Sequence, residues 1–200
     1  MRTFIHLVRH AEVENPNNIW YGRLEGFKLS ERGLRQAAAL RYYFEDRPLA
    51  AVYSSPLERA MQTARATAEP QGMEPIEELD IIESETRLQG KPGDGRLFRN
   101  PLNLRHFINP YKPSWGESYS SIAERMIRAV YRMRNEHAGK EVVAVSHMTP
   151  IIVARLRVEG RRTHPWRARV ACARASITSL EFEDDRFLSS RYRDLGTAVR

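Results

Sequence analysis

Three short apolar runs, each broken off by a polar turn and a helix-start signal, constrain the fold of this chain most. Phe4-Ile5-His6-Leu7-Val8 leads into Arg9-His10, and Ala50 to Ser54 leads into Ser55-Pro56-Leu57-Glu58-Arg59. Val142-Val143-Ala144-Val145-Ser146 leads into His147. Such runs read as strands, and the helix signals that follow make the strands parallel. The expected architecture is an α/β three-layer sandwich: a mostly parallel central sheet with helices on both faces. Sheets of this kind place ligands at the carboxyl ends of their strands. His10, His147, Arg9 and Arg59 all fall there. That set suits a phosphoryl group, because Arg forks bind its oxygens in pairs and a neutral imidazole can attack phosphorus.

Helix signals are clear in four places. Ser30 is expected to cap a helix carrying Leu34, Ala37, Leu40 and Phe44 on one face. Ser55, Pro56 and Glu58 match a capping box, followed by Leu57, Met61, Ala64 and Ala68. Tyr119, Ile122, Met126, Val130 and Met133 form the longest periodic stretch, ending near Gly139, and Thr149-Pro150 opens a helix through Leu156. Ser176 to Phe182 and Arg186 to Tyr192 read as a hairpin across Glu183-Asp184-Asp185. Between about 83 and 117 the pattern breaks into turn signals such as Pro92-Gly93 and Asn109-Pro110. A stretch of that kind is expected to act as a lid or substrate-binding insertion over the active site.

The 200 residues suit one domain spanning 1–200. The single cysteine, Cys172, forbids an internal disulfide and makes a reducing compartment the default. No stretch approaches the roughly 20 apolar residues of a membrane span, and the N-terminus offers no signal-peptide core. The expectation is a soluble, cytoplasmic protein without a membrane partner. The net charge of +7 raises the question of nucleic acid, yet four lysines leave 28 of the 32 basic residues as arginine. The cluster Arg155, Arg157, Arg161, Arg162, Arg167, Arg169 and Arg174 reads as a solvated or oligomer-facing surface. No reader motif accompanies it, so nucleic acid is not the expected partner.

For His10 to act as a nucleophile it must be neutral, with one ring nitrogen held by an acceptor, most simply a backbone carbonyl. Neighbouring guanidiniums disfavour the imidazolium form. Fixed donors on the equatorial phosphoryl oxygens would each lower the barrier by roughly 3 to 4 kcal/mol. A leaving alkoxide also needs a proton, for which Glu83 or Glu85, at the start of the irregular segment, are the best placed carboxyls. Glu12, Glu14, Glu25 and Glu58 are further candidates. A carboxyl beside a phosphate dianion is favoured in its protonated form, as an acid catalyst requires.

Leu7-Val8-Arg9-His10-Ala11-Glu12 resembles the Arg-His-Gly signature of the histidine phosphatase superfamily, in its phosphoglycerate mutase-like branch. Ser54 through Ala64 is similar to that branch's second motif and Val145-Ser146-His147 to its third. Tyr21-Gly22-Arg23-Leu24 and Leu29-Ser30-Glu31-Arg32-Gly33 follow in the expected order. The resemblance runs from residue 3 to about 155. It implies His10 as phospho-accepting nucleophile, Arg9 and Arg59 as phosphate-gripping guanidiniums, and His147 as the second imidazole. Glu83 would be the acid/base, with Glu85 as the alternative, and Asn15 an additional phosphate donor. Tyr21, Gly22 and Arg23 would line the substrate side, joined at the pocket mouth by Trp20, His106, Phe107, Tyr111 and Trp115. Two positions depart from the pattern. Ala11 stands where the signature has glycine, which narrows backbone freedom, and Glu85-Thr86 replace the glycine usual after the acid.

The reading is a phosphomonoesterase that needs neither metal nor cofactor and acts on a small phosphate ester. A mutase would use the same residues, but the chain is shorter than mutases of that branch. A phosphate-binding protein without turnover and a nucleic-acid module are the readings from other classes. His10 and His147 lack a third metal ligand at a familiar spacing.

Overall fold

The computed structural model describes residues 1–93, 116–163, 170–197 and 199. His106, Phe107, Tyr111, Trp115, His164, Arg167 and Arg169, and most of the expected insertion, lie outside the described residues.

The strands are β1 (Arg2–Arg9), β2 (Leu49–Ser54), β3 (Ile76–Glu77), β4 (Glu141–Ser146), β5 (Ser176–Glu183) and β6 (Arg186–Asp194). The helices are α1 (Glu31–Phe44), α2 (Glu58–Ala68), α3 (Tyr119–Glu136) and α4 (Met148–Val158). All six strands join one sheet in the order β3-β2-β4-β1-β5-β6. The first four are mutually parallel, whereas β5 runs antiparallel to β1 and β6 antiparallel to β5. The expected mostly parallel sheet is therefore present, with the hairpin on one flank.

Consecutive strand residues point to opposite faces, and here both faces are covered. Val8, Val52, Val143, Val145 and Ile177 pack with Leu40 and Phe44 of α1 and with Ala60 and Ala64 of α2. Ile5, Leu7, Val142, Ala144 and Leu180 pack with α3 and α4 through Ile122, Met126, Met133, Ile151 and Leu156. This is why the strand runs are apolar without alternation. Fully buried side chains such as Leu40, Phe44 and Met126 each contribute about 1.5–3 kcal/mol by leaving water.

Ser30 caps α1, its side chain accepting from the Gly33 amide at 3.0 Å. Leu34 departs from expectation: it is 57% exposed, because the buried stripe runs through Gly33, Gln36, Ala37, Leu40 and Phe44. The capping box expected at Ser55 does not form. Leu57 is the N-cap of α2 and offers no side-chain bond, and Glu58 faces Lys28 at 3.5 Å. Ser55 is instead turned toward His147, as described below. The edge strand β3 is two exposed residues long, too short to carry a period.

The register explains how distant residues meet. Arg9 stands opposite Ser146, and Ser54 opposite Val145, so β1, β4 and β2 end in one row. The amide of His10 donates to the Ser146 carbonyl at 2.9 Å, and that of Ser55 to the Val145 carbonyl at 2.9 Å. The residues that follow the three strands are His10, Ser55 and His147.

Candidate active site

At this edge His10 and His147 are 1% and 0% exposed, with ring centroids 5.1 Å apart. His10 Nδ1 lies 2.7 Å from the Ala11 carbonyl. A carbonyl only accepts, so Nδ1 carries the proton and Nε2 keeps its lone pair. Burial, and then Arg59 and Arg9, hold the His10 imidazole well below its ordinary pKa, which keeps it neutral. Ala11 costs no strain, because its φ is not among the positive ones. Its amide donates to Thr63 Oγ1 at 3.1 Å, tying the turn to α2.

His147 Nε2 lies 2.8 Å from Ser55 Oγ, while its Nδ1 has no partner. Burial comes first, followed by His10, Arg59 and Arg9, in pushing its pKa well down. Arg59 rides on the buried face of α2 and is 1% exposed. Its Nη2 donates to the Gly22 carbonyl at 2.5 Å, and its guanidinium lies over the Tyr21 ring, 4.8 Å from the centroid. Arg9 Nη1 donates to the Cys172 carbonyl at 2.7 Å. Among the described residues, the buried side-chain nitrogens left without a partner are Arg9 Nε, Arg59 Nε and His147 Nδ1. A fold normally pairs such groups, so three in one cluster mark a place built for an acceptor.

A cavity of about 600 Å³ opens here, lined by Arg9, His10, Glu83, Glu85 and Arg174 among its polar groups and by Leu88, Ile122, Met148 and Ile152 among its apolar ones. Arg59 and His147 are not among its lining residues and are 1% and 0% exposed, so a ligand in the cavity reaches them only as their neighbours shift. Glu83 Oε1 accepts from the Ser84 amide at 2.7 Å and from the Ser84 hydroxyl at 3.1 Å, leaving Oε2 outside these bonds. Burial raises the Glu83 pKa, against the Ser84 bonds and the Arg59 and Arg9 charges. Glu85 also reaches the cavity but is exposed.

Asn15 lines the cavity, but its amide is engaged with its own loop: Nδ2 donates to the Ile19 carbonyl, and Oδ1 accepts from the Ile19 amide. Arg23 lies beside the cavity and braces Glu83, its Nε donating to the Glu83 carbonyl at 2.7 Å and its Nη2 to Glu117 at 3.3 Å. Gly22 has φ +42°, and a Cβ there would come within 2.6 Å of the Gln89 side chain. Only glycine can present the carbonyl that Arg59 holds without pushing Gln89 away.

Three contributors carry another meaning, or none, in the sequence. Ser55 reads there as a helix cap, which hides its contact with His147. Arg125, on α3, donates to the Asp80 and Ile82 carbonyls at 2.7 Å each and to both oxygens of Glu117. The available signal is its place between Ile122, Met126 and Ala129 on the buried stripe. Arg174 reads as part of a charged surface cluster. It precedes β5, which runs antiparallel to β1, so the start of β5 lies beside the end of β1.

An α/β sandwich with two neutral histidines and two guanidiniums gathered at its strand ends defines a phosphoryl-handling class of protein. The profile of the histidine phosphatase superfamily (branch 1) matches residues 5–195, and this chain belongs to that family. It is 44% identical over 193 residues to an uncharacterized protein of Mycobacterium tuberculosis, covering 95% of each chain. It is 36% identical over 150 residues to phosphoserine phosphatase 1 of Hydrogenobacter thermophilus, covering 72% of this chain and 71% of that one. Among solved structures, Bacillus stearothermophilus YhfR superimposes with a TM-score of 0.81 at 25% identity, covering 93% and 94% of the two chains. No helix among the described residues is long and apolar enough to cross a membrane.

Proposed function

We propose that this protein is a metal-independent phosphomonoesterase that hydrolyses a small phosphate ester through a phosphohistidine on His10. The observation that carries this reading is the His10 tautomer, with Nδ1 held by the Ala11 carbonyl and Nε2 left with its lone pair on a neutral ring. The ester phosphate enters against Arg9 and His10 and, as the residues covering Arg59 and His147 shift, meets the three nitrogens that lack partners. For His147 Nδ1 to donate, the Ser55 hydroxyl must donate to Nε2, which makes Ser55 the residue that sets this tautomer. Nε2 of His10 attacks phosphorus as the bond to the leaving oxygen breaks, and Glu83 gives that oxygen its proton. The Glu83 carboxylate then takes a proton from water. The resulting hydroxide attacks phosphohistidine and frees phosphate and His10.

Glu83 serves better than Glu85, because burial favours its protonated form and Arg23 braces its backbone. Asn15 gives one Nδ2 hydrogen to the Ile19 carbonyl and keeps the other for a phosphate oxygen, and Tyr21, Gly22 and Arg23 act by holding Arg59 and Glu83 in place. The leaving group has apolar or ring character, in keeping with Ile122, Met148 and Ile152 in a cavity of about 600 Å³. We take residues 1–200 as one domain, with the segment from about 83 to 117 as its substrate-side insertion. The proposed setting is the cytoplasm.

The test is turnover of a panel of phosphomonoesters by wild type and His10→Ala. The variant should lose about 10⁴-fold or more, and wild type quenched during turnover should carry an acid-labile, base-stable phosphoryl label on residue 10. Turnover retained by His10→Ala overturns the mechanism. Isomerisation of a phosphoglycerate faster than phosphate release would assign a mutase instead.

A further inference from the structure

Arg174 is a guanidinium that a single phosphate does not need. It lines the same cavity as His10 and Glu83, on the turn that enters β5. The turn is pinned to the nucleophile's own backbone: the Ala175 amide donates to the Arg9 carbonyl at 3.1 Å and to the His10 carbonyl at 3.4 Å. Ala175 holds φ +54°, a left-handed conformation costly for a residue with a Cβ, so the surroundings enforce the turn. Gly196 closes it from the other side, where a Cβ would overlap the Arg174 carbonyl.

The charge around Arg174 is unbalanced. Its Nη1 donates to Glu12 Oε2 at 2.8 Å, and Arg32 Nη1 donates to the same oxygen at 3.1 Å. Oε1 of Glu12 accepts from the Ser30 hydroxyl. One carboxylate thus serves two guanidiniums and leaves one positive charge over. The Arg174 side chain is 38% exposed, and its Nε and Nη2 make no hydrogen bond among the described residues. Arg9 and Arg59 already supply the deep guanidiniums, so Arg174 stands at the rim with donors to spare.

We propose that Arg174 is a specificity-determining residue that binds a carboxylate on the leaving group of the phosphate ester. This rests on the phosphatase reading above and narrows its substrate class. A carboxylate matches the single uncompensated charge and the two-pronged geometry of the fork. Glu12 then acts as a positioning residue, holding one prong so that the others face the ligand.

The experiment uses aryl phosphates substituted at each ring position, every one prepared as a carboxylate and as its carboxamide. The quantity read is the carboxylate-to-carboxamide ratio of kcat/KM. Wild type should favour the carboxylate at one position by about ten- to a hundredfold, as for a hydrogen bond to a charged group. Arg174→Gln should bring the ratio to about one, and Arg174→Lys should restore part of it. Glu12→Gln removes the negative charge but keeps an oxygen that can accept from Arg174 Nη1, so it should retain the preference. No preference in wild type, or equal loss in Glu12→Gln and Arg174→Gln, overturns the proposal. The matching arylmethylphosphonates, measured by calorimetry, give the same ratio as binding constants. If no phosphate is turned over, the phosphatase reading fails, and the phosphonate ratio still decides the role of Arg174.

Discussion

His6 and His10 leave the same stretch of chain four residues apart, and both are almost fully buried, yet their surroundings are opposites. His6 has both nitrogens occupied, Nδ1 by Ser179 Oγ at 2.8 Å and Nε2 by Glu141 Oε2 at 3.1 Å. Glu141 in turn accepts from Arg47, whose other prong reaches the Tyr43 hydroxyl. The rings of Phe4 and Phe44 flank His6. At the His10 end, buried nitrogens of Arg9, Arg59 and His147 go without partners beside an open cavity. The same residue types are fully paired within the sheet and left partly unpaired at its edge. What separates them is whether the hydrogen-bond inventory closes. An unclosed inventory in a buried cluster is destabilising, and a fold keeps it where a ligand completes it.

The contrast can be attacked first at Glu83. Glu83→Gln should lower kcat on alkyl phosphates by about 10²- to 10⁴-fold, and by much less on p-nitrophenyl phosphate, whose leaving group needs no proton. The pH profile supplies the sign. Glu83 must be protonated and its pKa is raised, so wild-type activity is lost as pH rises through a value above 4.5. His10 must be neutral and its pKa is lowered, so activity on the acid side is lost only below 6.5. The Glu83→Gln variant should lack the alkaline limb, and a profile identical to wild type would remove Glu83 from the mechanism.

Next in size is Arg59→Met. Phosphatase activity should fall about 10²- to 10³-fold, as for loss of one fixed donor to a developing oxyanion. Its thermal midpoint should hold or rise, because the change removes a buried charge and its unpaired Nε. A sharp fall in thermal midpoint would show that the two surroundings are not opposites.

Glu141→Gln should do the reverse, leaving turnover unchanged and lowering stability by about 1 kcal/mol at neutral pH, a modest figure because the carboxylate is partly solvated. The bond from His6 comes first, with Arg47 behind it, in holding the Glu141 pKa down against burial. A depressed carboxylate contributes above its unfolded pKa and loses that contribution as pH falls through the folded value. Denaturant midpoints of variant and wild type should therefore converge in acid.

The strands and helices were legible because parallel strands buried on both faces write themselves as unbroken apolar runs, and because Ser30 caps α1 as expected. So were His10, His147, Arg9 and Arg59, since parallel strands carry whatever follows them to one edge. β3 was not, having no length over which to show a period. Ser55 and Arg174 were hidden for a different reason. Each matches a common local meaning, a helix cap and a charged surface, and only the neighbour supplied by another strand changes it. Asn15 lines the cavity too, with its oxygen and one of its two amide hydrogens already engaged by its own loop.

The order of synthesis gives the pinning of Arg9 and Ala175 a further consequence. The signature turn is made long before its partners: the carbonyl that holds Arg9 belongs to Cys172, and the amide that holds the turn belongs to Ala175. These partners arrive more than 160 positions later, and such distant closures are slow to form. A nascent chain that has already made both histidines and both guanidiniums therefore lacks the clamp on Arg9 until the segment entering β5 docks.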